Sequence, residues 1–193
     1  DLRRMLLESG VPSIVVTHDR AEAIALGDGI AVMIDGTIRQ TGPVRDVFRR
    51  PADPRVAESL GVENIIQAEI VARHAGLVTV AAGSTRFECV DGGESGAVLA
   101  CIRAEDVAVT REAHLESSAR NRIAGTVREV SIEGPLARIE IDCGFPLVAL
   151  VTAQSAGELN FRPGEPICAV VKTTAVHLLL QEKLTHEHGI DPR

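Results

Sequence analysis

The sequence predicts an α/β segment over residues 1–62, then an all-β barrel-like region over 63–180, then a polar tail at 181–193. Three observations carry this. Short β-branched runs alternate with helical spacing before Asn64. From Asn64 to about Lys172, apolar residues recur at every second position instead. Gly92-Gly93, Gly134-Pro135 and Pro163-Gly164 punctuate that second region as turns.

Leu2, Met5 and Leu6 share one face of a helix over residues 1–9, which Gly10 ends. Ser13 to Val16 is an apolar run of the kind that makes a strand buried on both faces. Thr17-His18-Asp19 follows it, and Arg20 to Leu26 is helical. Ile30 to Ile34 and Thr37 to Gln40 flank Asp35-Gly36, a strong hairpin signal. Pro43 to Arg49 reads as a short helix and Arg55 to Leu60 as a further turn or two. Beyond Asn64, Ile66, Ala68 and Ile70 alternate with polar residues, as do Val78 and Val80, and Ala137, Ile139 and Ile141. This pattern fits a small barrel or a sandwich. One helical stretch interrupts it near Thr152 to Leu159, with Thr152 placed to cap. Asn64-Ile65-Ile66 and Asn121-Arg122-Ile123 open similar segments, which suggests sub-units at 63–112 and 118–180.

Composition narrows the functional classes. A net charge of −7 argues against a nucleic-acid partner, which demands a basic footprint. With 2% aromatic residues and no Trp or Tyr, stacking on bases or sugars is a poor binding mode. A small-anion site stays open, because it depends on local donors and not on total charge. No apolar run approaches the ~20 residues that span a bilayer, and no secretory signal opens the chain, so a cytoplasmic location is expected. Cys89, Cys101, Cys143 and Cys168 lack the short paired spacing of a metal site and read as structural thiols, so no metal is expected.

Ser13-Ile14-Val15-Val16-Thr17-His18-Asp19, the Arg20-Ala21-Glu22-Ala23 helix, Asp28, Val32-Met33-Ile34-Asp35-Gly36-Thr37-Ile38 and Gln40-Thr41-Gly42 resemble the end of an ABC ATPase nucleotide-binding domain. The resemblance implies that residues 1–62 are its C-terminal remnant and that His18 is the switch histidine contacting the γ-phosphate. No Gly-x-x-x-x-Gly-Lys-Ser/Thr phosphate cradle and no Leu-Ser-Gly-Gly signature appears. The metal-holding Asp and its adjacent Glu are missing too, so His18 is part of an incomplete site, and ATP with Mg belongs only to a full-length parent.

Residues 64 to 180 resemble the regulatory extension of ABC importers, an OB-like barrel of the TOBE/MOP kind. Ile102-Arg103-Ala104-Glu105-Asp106-Val107 carries part of that likeness, with Ala104 where Pro is common. Ser117-Ser118-Ala119-Arg120-Asn121, Gly125-Thr126-Val127 and Ala169-Val170-Val171-Lys172-Thr173-Thr174-Ala175-Val176 are similar to the molybdate/tungstate-binding module of importer ATPases, regulators and small binding proteins. Ser117 departs from the usual Thr, and Thr173 from the usual Ser or Ala.

A tetrahedral dianion wants converging N–H and O–H donors with one or two cations. Ser118, Arg120, Lys172 and Thr173 are the candidates, and molybdate or tungstate the expected ligand. The resemblance further implies a homodimer whose motifs meet across the subunit interface. It also implies a membrane-spanning importer partner, reached from the inner face of the plasma membrane. Two other readings stand beside this one. The barrel could be a dimer contact and regulator surface of a sugar, iron or polyamine importer ATPase, or the chain a free-standing anion store or sensor.

Overall fold

The computed structural model describes residues 2–111 and 117–181. The first unit opens with α1 (Leu2–Ser9), ended by Gly10 at a positive φ of 62°, and α2 (Arg20–Leu26). The Asp19 carboxylate caps α2 by accepting from the Ala21 and Glu22 N–H groups. Strands β1 (Gly29–Ile34) and β2 (Thr37–Pro43) form the expected hairpin, with both turn residues, Asp35 and Gly36, at positive φ. Helices α3 (Val44–Arg49) and α4 (Pro54–Ser59) then fold back on the hairpin. Val32, Val44, Val47, Phe48, Val56 and Leu60 make the core of this unit.

One sequence expectation fails here. Ser13 to Val16 is not a strand: residues 11–17 are irregular, and Ile14 and Val16 are 95% and 94% exposed. A strand of this kind needs a neighbour on each side. Among the described residues of this unit only β1 and β2 are strands, and these pair with each other. Val32, by contrast, is buried and Ile34 half-buried, because α3 and α4 cover the inner face of the hairpin.

The rest is an all-β, OB-like fold built as a duplicated pair. Its strands are β3 (Asn64–His74), β4 (Leu77–Ala82), β5 (Thr85–Val90), β6 (Ala97–Ile102), β7 (Val107–Thr110), β8 (Asn121–Glu133), β9 (Leu136–Asp142), β10 (Pro146–Thr152), β11 (Pro166–Val171) and β12 (His177–Leu180). They form two five-stranded sheets, ordered β12-β6-β3-β4-β5 and β10-β9-β8-β11-β7. Each sheet therefore takes its outermost strand from the other half of the chain. In register the two halves superpose: Asn64 faces Ile102 as Asn121 faces Val171, and His177 faces Cys101 as Ala108 faces Val170. Bulges interrupt β3 and β8 at matching places, after Ile70 and after Val127. Single 3-10 turns, Ala104–Asp106 and Thr173–Ala175, precede the two exchanged strands.

The likeness of the Asn64 and Asn121 segments is thus a structural duplication. Both asparagines are buried, and each reaches into the opposite sheet. The Asn64 carboxamide donates to the Val148 carbonyl at 2.9 Å and accepts from the Val148 N–H at 2.6 Å. Asn121 treats Glu88 the same way, at 2.8 and 2.7 Å. An asparagine side chain offers a donor and an acceptor together, as the open edge of a strand does. The apolar inner faces of both sheets merge into one cluster that includes Val80, Phe87, Val98, Ile123, Ile139 and Leu147. All four cysteines are free and buried. Between β10 and β11 the second half inserts α5 (Ala153–Leu159), capped by the Thr152 hydroxyl as expected and ended by left-handed Asn160.

Removing either asparagine side chain orphans a strand-edge N–H and C=O in the other sheet. Asn64→Ala and Asn121→Ala should each destabilise the fold by about 2–4 kcal/mol, while the exposed Arg86→Ala should stay within about 0.5 kcal/mol. Urea unfolding followed by circular dichroism measures both.

Candidate functional site

The β8–β11 ladder ends at the Asn121–Val171 pair. The residues that follow this last pair along the two strands are Arg120 and Lys172, so the ladder ends between two basic residues. Sequence separation hides this arrangement; only the antiparallel register reveals it. Within one chain the two motifs run into the ends of the paired strands β8 and β11. Ala119 and Lys172 line one cavity of about 390 Å³ with Glu105, Asp106, Leu150 and Ala175.

The described side chains are placed as follows. Arg120 is exposed, and its Nε donates to the Glu88 carboxylate at 2.7 Å. Lys172 is exposed and forms no direct ion pair among the described residues, though its charge acts on Asp106. Desolvation and then Glu105 hold the Asp106 carboxyl above its usual range, against the pull of Arg103 and Lys172. Ser118 is exposed and Thr173, which opens a 3-10 turn, is half-buried. His18 is exposed on the irregular segment before α2 and lines neither this cavity nor the second one described below.

The first half of the duplication serves as an internal control. Its ladder ends at Asn64–Ile102, flanked by Glu63 and Arg103, an acid and a base where the second half has two bases. Glu63 accepts the Ala104 N–H at 3.2 Å. Arg120, a cation, cannot accept the Thr173 N–H in that way. Arg103 is committed elsewhere: it donates to the Phe48 carbonyl at 2.9 Å and the Leu60 carbonyl at 3.3 Å, and its guanidinium lies 5.6 Å from the Phe48 ring centroid. The first-half position thus ties the barrel to α3 and the end of α4, whereas the second-half position keeps two exposed basic side chains, Arg120 on Glu88 and Lys172 near Asp106.

A larger cavity, about 950 Å³, lies at that junction, lined in part by Phe48, Arg50, Glu94, Arg103, Lys172 and His177. His177 begins the exchanged β12, and its Nε2 lies 3.3 Å from the Pro51 carbonyl. A carbonyl only accepts, so the hydrogen bond requires a proton on Nε2. Burial lowers the His177 pKa, against the Pro51 bond and Glu94. The sequence reading missed Glu88 and His177, and it saw Arg103 only as part of a motif. Each acts across a sequence separation that only the fold closes.

Residues 117–178 match the TOBE domain family. Over nearly its whole length the chain resembles the C-terminal part of an ABC-importer ATP-binding subunit. It is 35% identical over 179 residues to the molybdate/tungstate import ATP-binding protein WtpC of Pyrococcus horikoshii, covering 92% of this chain and 50% of that one. It is 43% identical over 84 residues to the spermidine/putrescine import ATP-binding protein PotA of Ruegeria pomeroyi, covering 44% of this chain and 23% of that one. The chain spans about half the length, or less, of the curated relatives it matches. Among solved structures, the cytoplasmic molybdate-binding protein ModG, with molybdate bound, shares the fold at a TM-score of 0.55 and 23% identity, over 61% of this chain and 96% of that one. Among the described residues no helix is long and apolar enough to cross a membrane, and no cluster of potential metal ligands occurs.

The lowered His177 pKa gives a signed pH dependence. Below an ordinary His pKa of about 6.5 the unfolded chain takes up a proton that the folded chain resists. This contribution to stability is intact above that pH and declines as pH falls from there toward the folded pKa. His177→Gln should therefore flatten the loss of urea stability between about pH 7 and 5.5 relative to the parent chain.

Proposed function

We propose that the chain is the oxyanion-binding regulatory part of a molybdate- or tungstate-import ATP-binding protein. One observation carries the reading: the β8–β11 ladder ends between two basic residues, Arg120 and Lys172, where the duplicated position has an acid and a base, Glu63 and Arg103. Two basic residues at one sheet end suit a dianion. Arg120 can give two parallel N–H donors to two oxygens, Lys172 adds a point charge, and the Ser118 and Thr173 hydroxyls orient the anion. The 35% identity to a molybdate/tungstate import subunit and the fold shared with a molybdate-bound protein support the same ligand class. Molybdate and tungstate share shape and charge, and either fits this donor set.

In this reading residues 1–62 are the end of an ATPase domain, with His18 its switch histidine. The full-length parent binds ATP with Mg and docks a membrane-spanning subunit at the cytoplasmic face, and the barrels pair as a homodimer. The 193 residues contain no phosphate cradle, so phosphate release from Mg-ATP should stay at background. Turnover that His18→Ala abolishes would overturn this assignment.

Anion binding to the folded state alone stabilises it by about 2.7 kcal/mol at a hundredfold excess over Kd. A melting curve should rise by about 5–10 °C with molybdate and less with the smaller sulfate. Arg120→Ala and Lys172→Ala should each remove most of the rise while leaving the anion-free melting temperature nearly unchanged. An equal rise for sulfate, or for Arg120→Ala, would instead favour the barrel as a dimer contact alone.

A further inference from the structure

We propose that Glu88 is an internal competing anion: its carboxylate occupies Arg120 in the empty site and must yield the guanidinium to an incoming oxyanion, which sets the affinity threshold of the site. The inference rests on the oxyanion reading of Arg120 and Lys172. Its ground is a comparison within one molecule. Glu88 on β5 and Val148 on β10 are the duplicated positions gripped by Asn121 and Asn64 through backbone N–H and C=O groups. Val148 shows that this grip needs no carboxylate. The Glu88 carboxylate is therefore additional to the fold, and it lies against the one candidate cation whose duplicate, Glu63, is an acid.

Its placement is fixed. Asn121 directly follows Arg120 and holds the Glu88 backbone at 2.7 and 2.8 Å, so the carboxylate is delivered to the guanidinium from an anchored strand. The Glu88 side chain is 32% exposed and that of Arg120 63% exposed, so the pair faces solvent and can open without disturbing the core. A carboxylate offers a guanidinium the same hydrogen-bond geometry as two oxygens of a tetrahedral oxyanion. The two therefore exclude each other at Nε of Arg120. A dianion recruits Lys172 as well and can displace Glu88, whereas a monoanion gains less from that second cation.

The test is calorimetric titration of the whole chain with molybdate, and in parallel with nitrate as a monoanion, for the parent, Glu88→Gln, Glu88→Val, Arg120→Ala and the Arg120→Ala/Glu88→Gln double variant. Molybdate affinity should rise about three- to tenfold in Glu88→Gln and Glu88→Val, a gain consistent with removal of a solvent-facing charged competitor. That gain should vanish in the double variant. Nitrate binding should appear or strengthen only where Glu88 is replaced. Melting curves without anion should keep Glu88→Val folded, as the Val148 precedent requires. Molybdate binding by Glu88 variants but not by the parent would be the strongest support. Binding by the parent with no gain, or a loss, in both Glu88 variants would overturn the competition and leave the oxyanion site standing. A gain that persists without Arg120 would also overturn it, and absence of molybdate binding in every variant would overturn both readings.

Discussion

Two buried carboxamides set the geometry on which the rest of the barrel depends. Asn64 and Asn121 each begin a long strand in one sheet and satisfy a strand edge in the other. Buried amides are costly unless fully bonded, so each asparagine fixes the separation and rotation of the two sheets together. The exchanged strands β7 and β12 reinforce this, since neither sheet contains its fifth strand until the other half has folded. The shared apolar cluster then closes over a frame already determined by polar contacts.

On that frame one backbone plan carries two chemistries. At the end of the first ladder, Glu63 accepts an amide and Arg103 spends its donors on Phe48 and Leu60 carbonyls, so the position is internally satisfied and serves as a joint. At the end of the second, the acid is replaced by Arg120, and Lys172 takes the place of Arg103 without an ion pair among the described residues. The difference amounts to a few side chains on matching backbone. Glu105, Asp106, Lys172 and Ala175 line both the small cavity and the larger one at the joint, so the two 3-10 turns form the wall between a charged pocket and the seam to the helical unit.

Much of the fold was legible in the sequence because it rests on local signals. The Asp35-Gly36 hairpin, the Thr152 cap, the period-two strands and the buried cysteines depend on neighbouring residues, and each formed as read. The Ser13 to Val16 run did not form a strand, because a buried strand is a property of its neighbours and its own composition is not enough. Val32 is buried because α3 and α4 cover its strand, a contact its own strand cannot announce. Of the candidate site, motif likeness pointed to Ser118, Arg120, Lys172 and Thr173. Glu88 and His177 were illegible, as they gain meaning only through contacts with Arg120 and Pro51.

The exchange of β7 and β12 bears on ancestry and assembly. A lone repeat with this topology would have to borrow its last strand from a second chain, as in a domain-swapped dimer, whose formation depends on concentration. Joining two repeats in one polypeptide replaces that bimolecular step with closure of a tethered loop, at an effective concentration set by the connection. Within one polypeptide the halves need not be self-complementary, so their surfaces can differ. A charged mouth on one side and a mechanical seam on the other are what such broken symmetry permits.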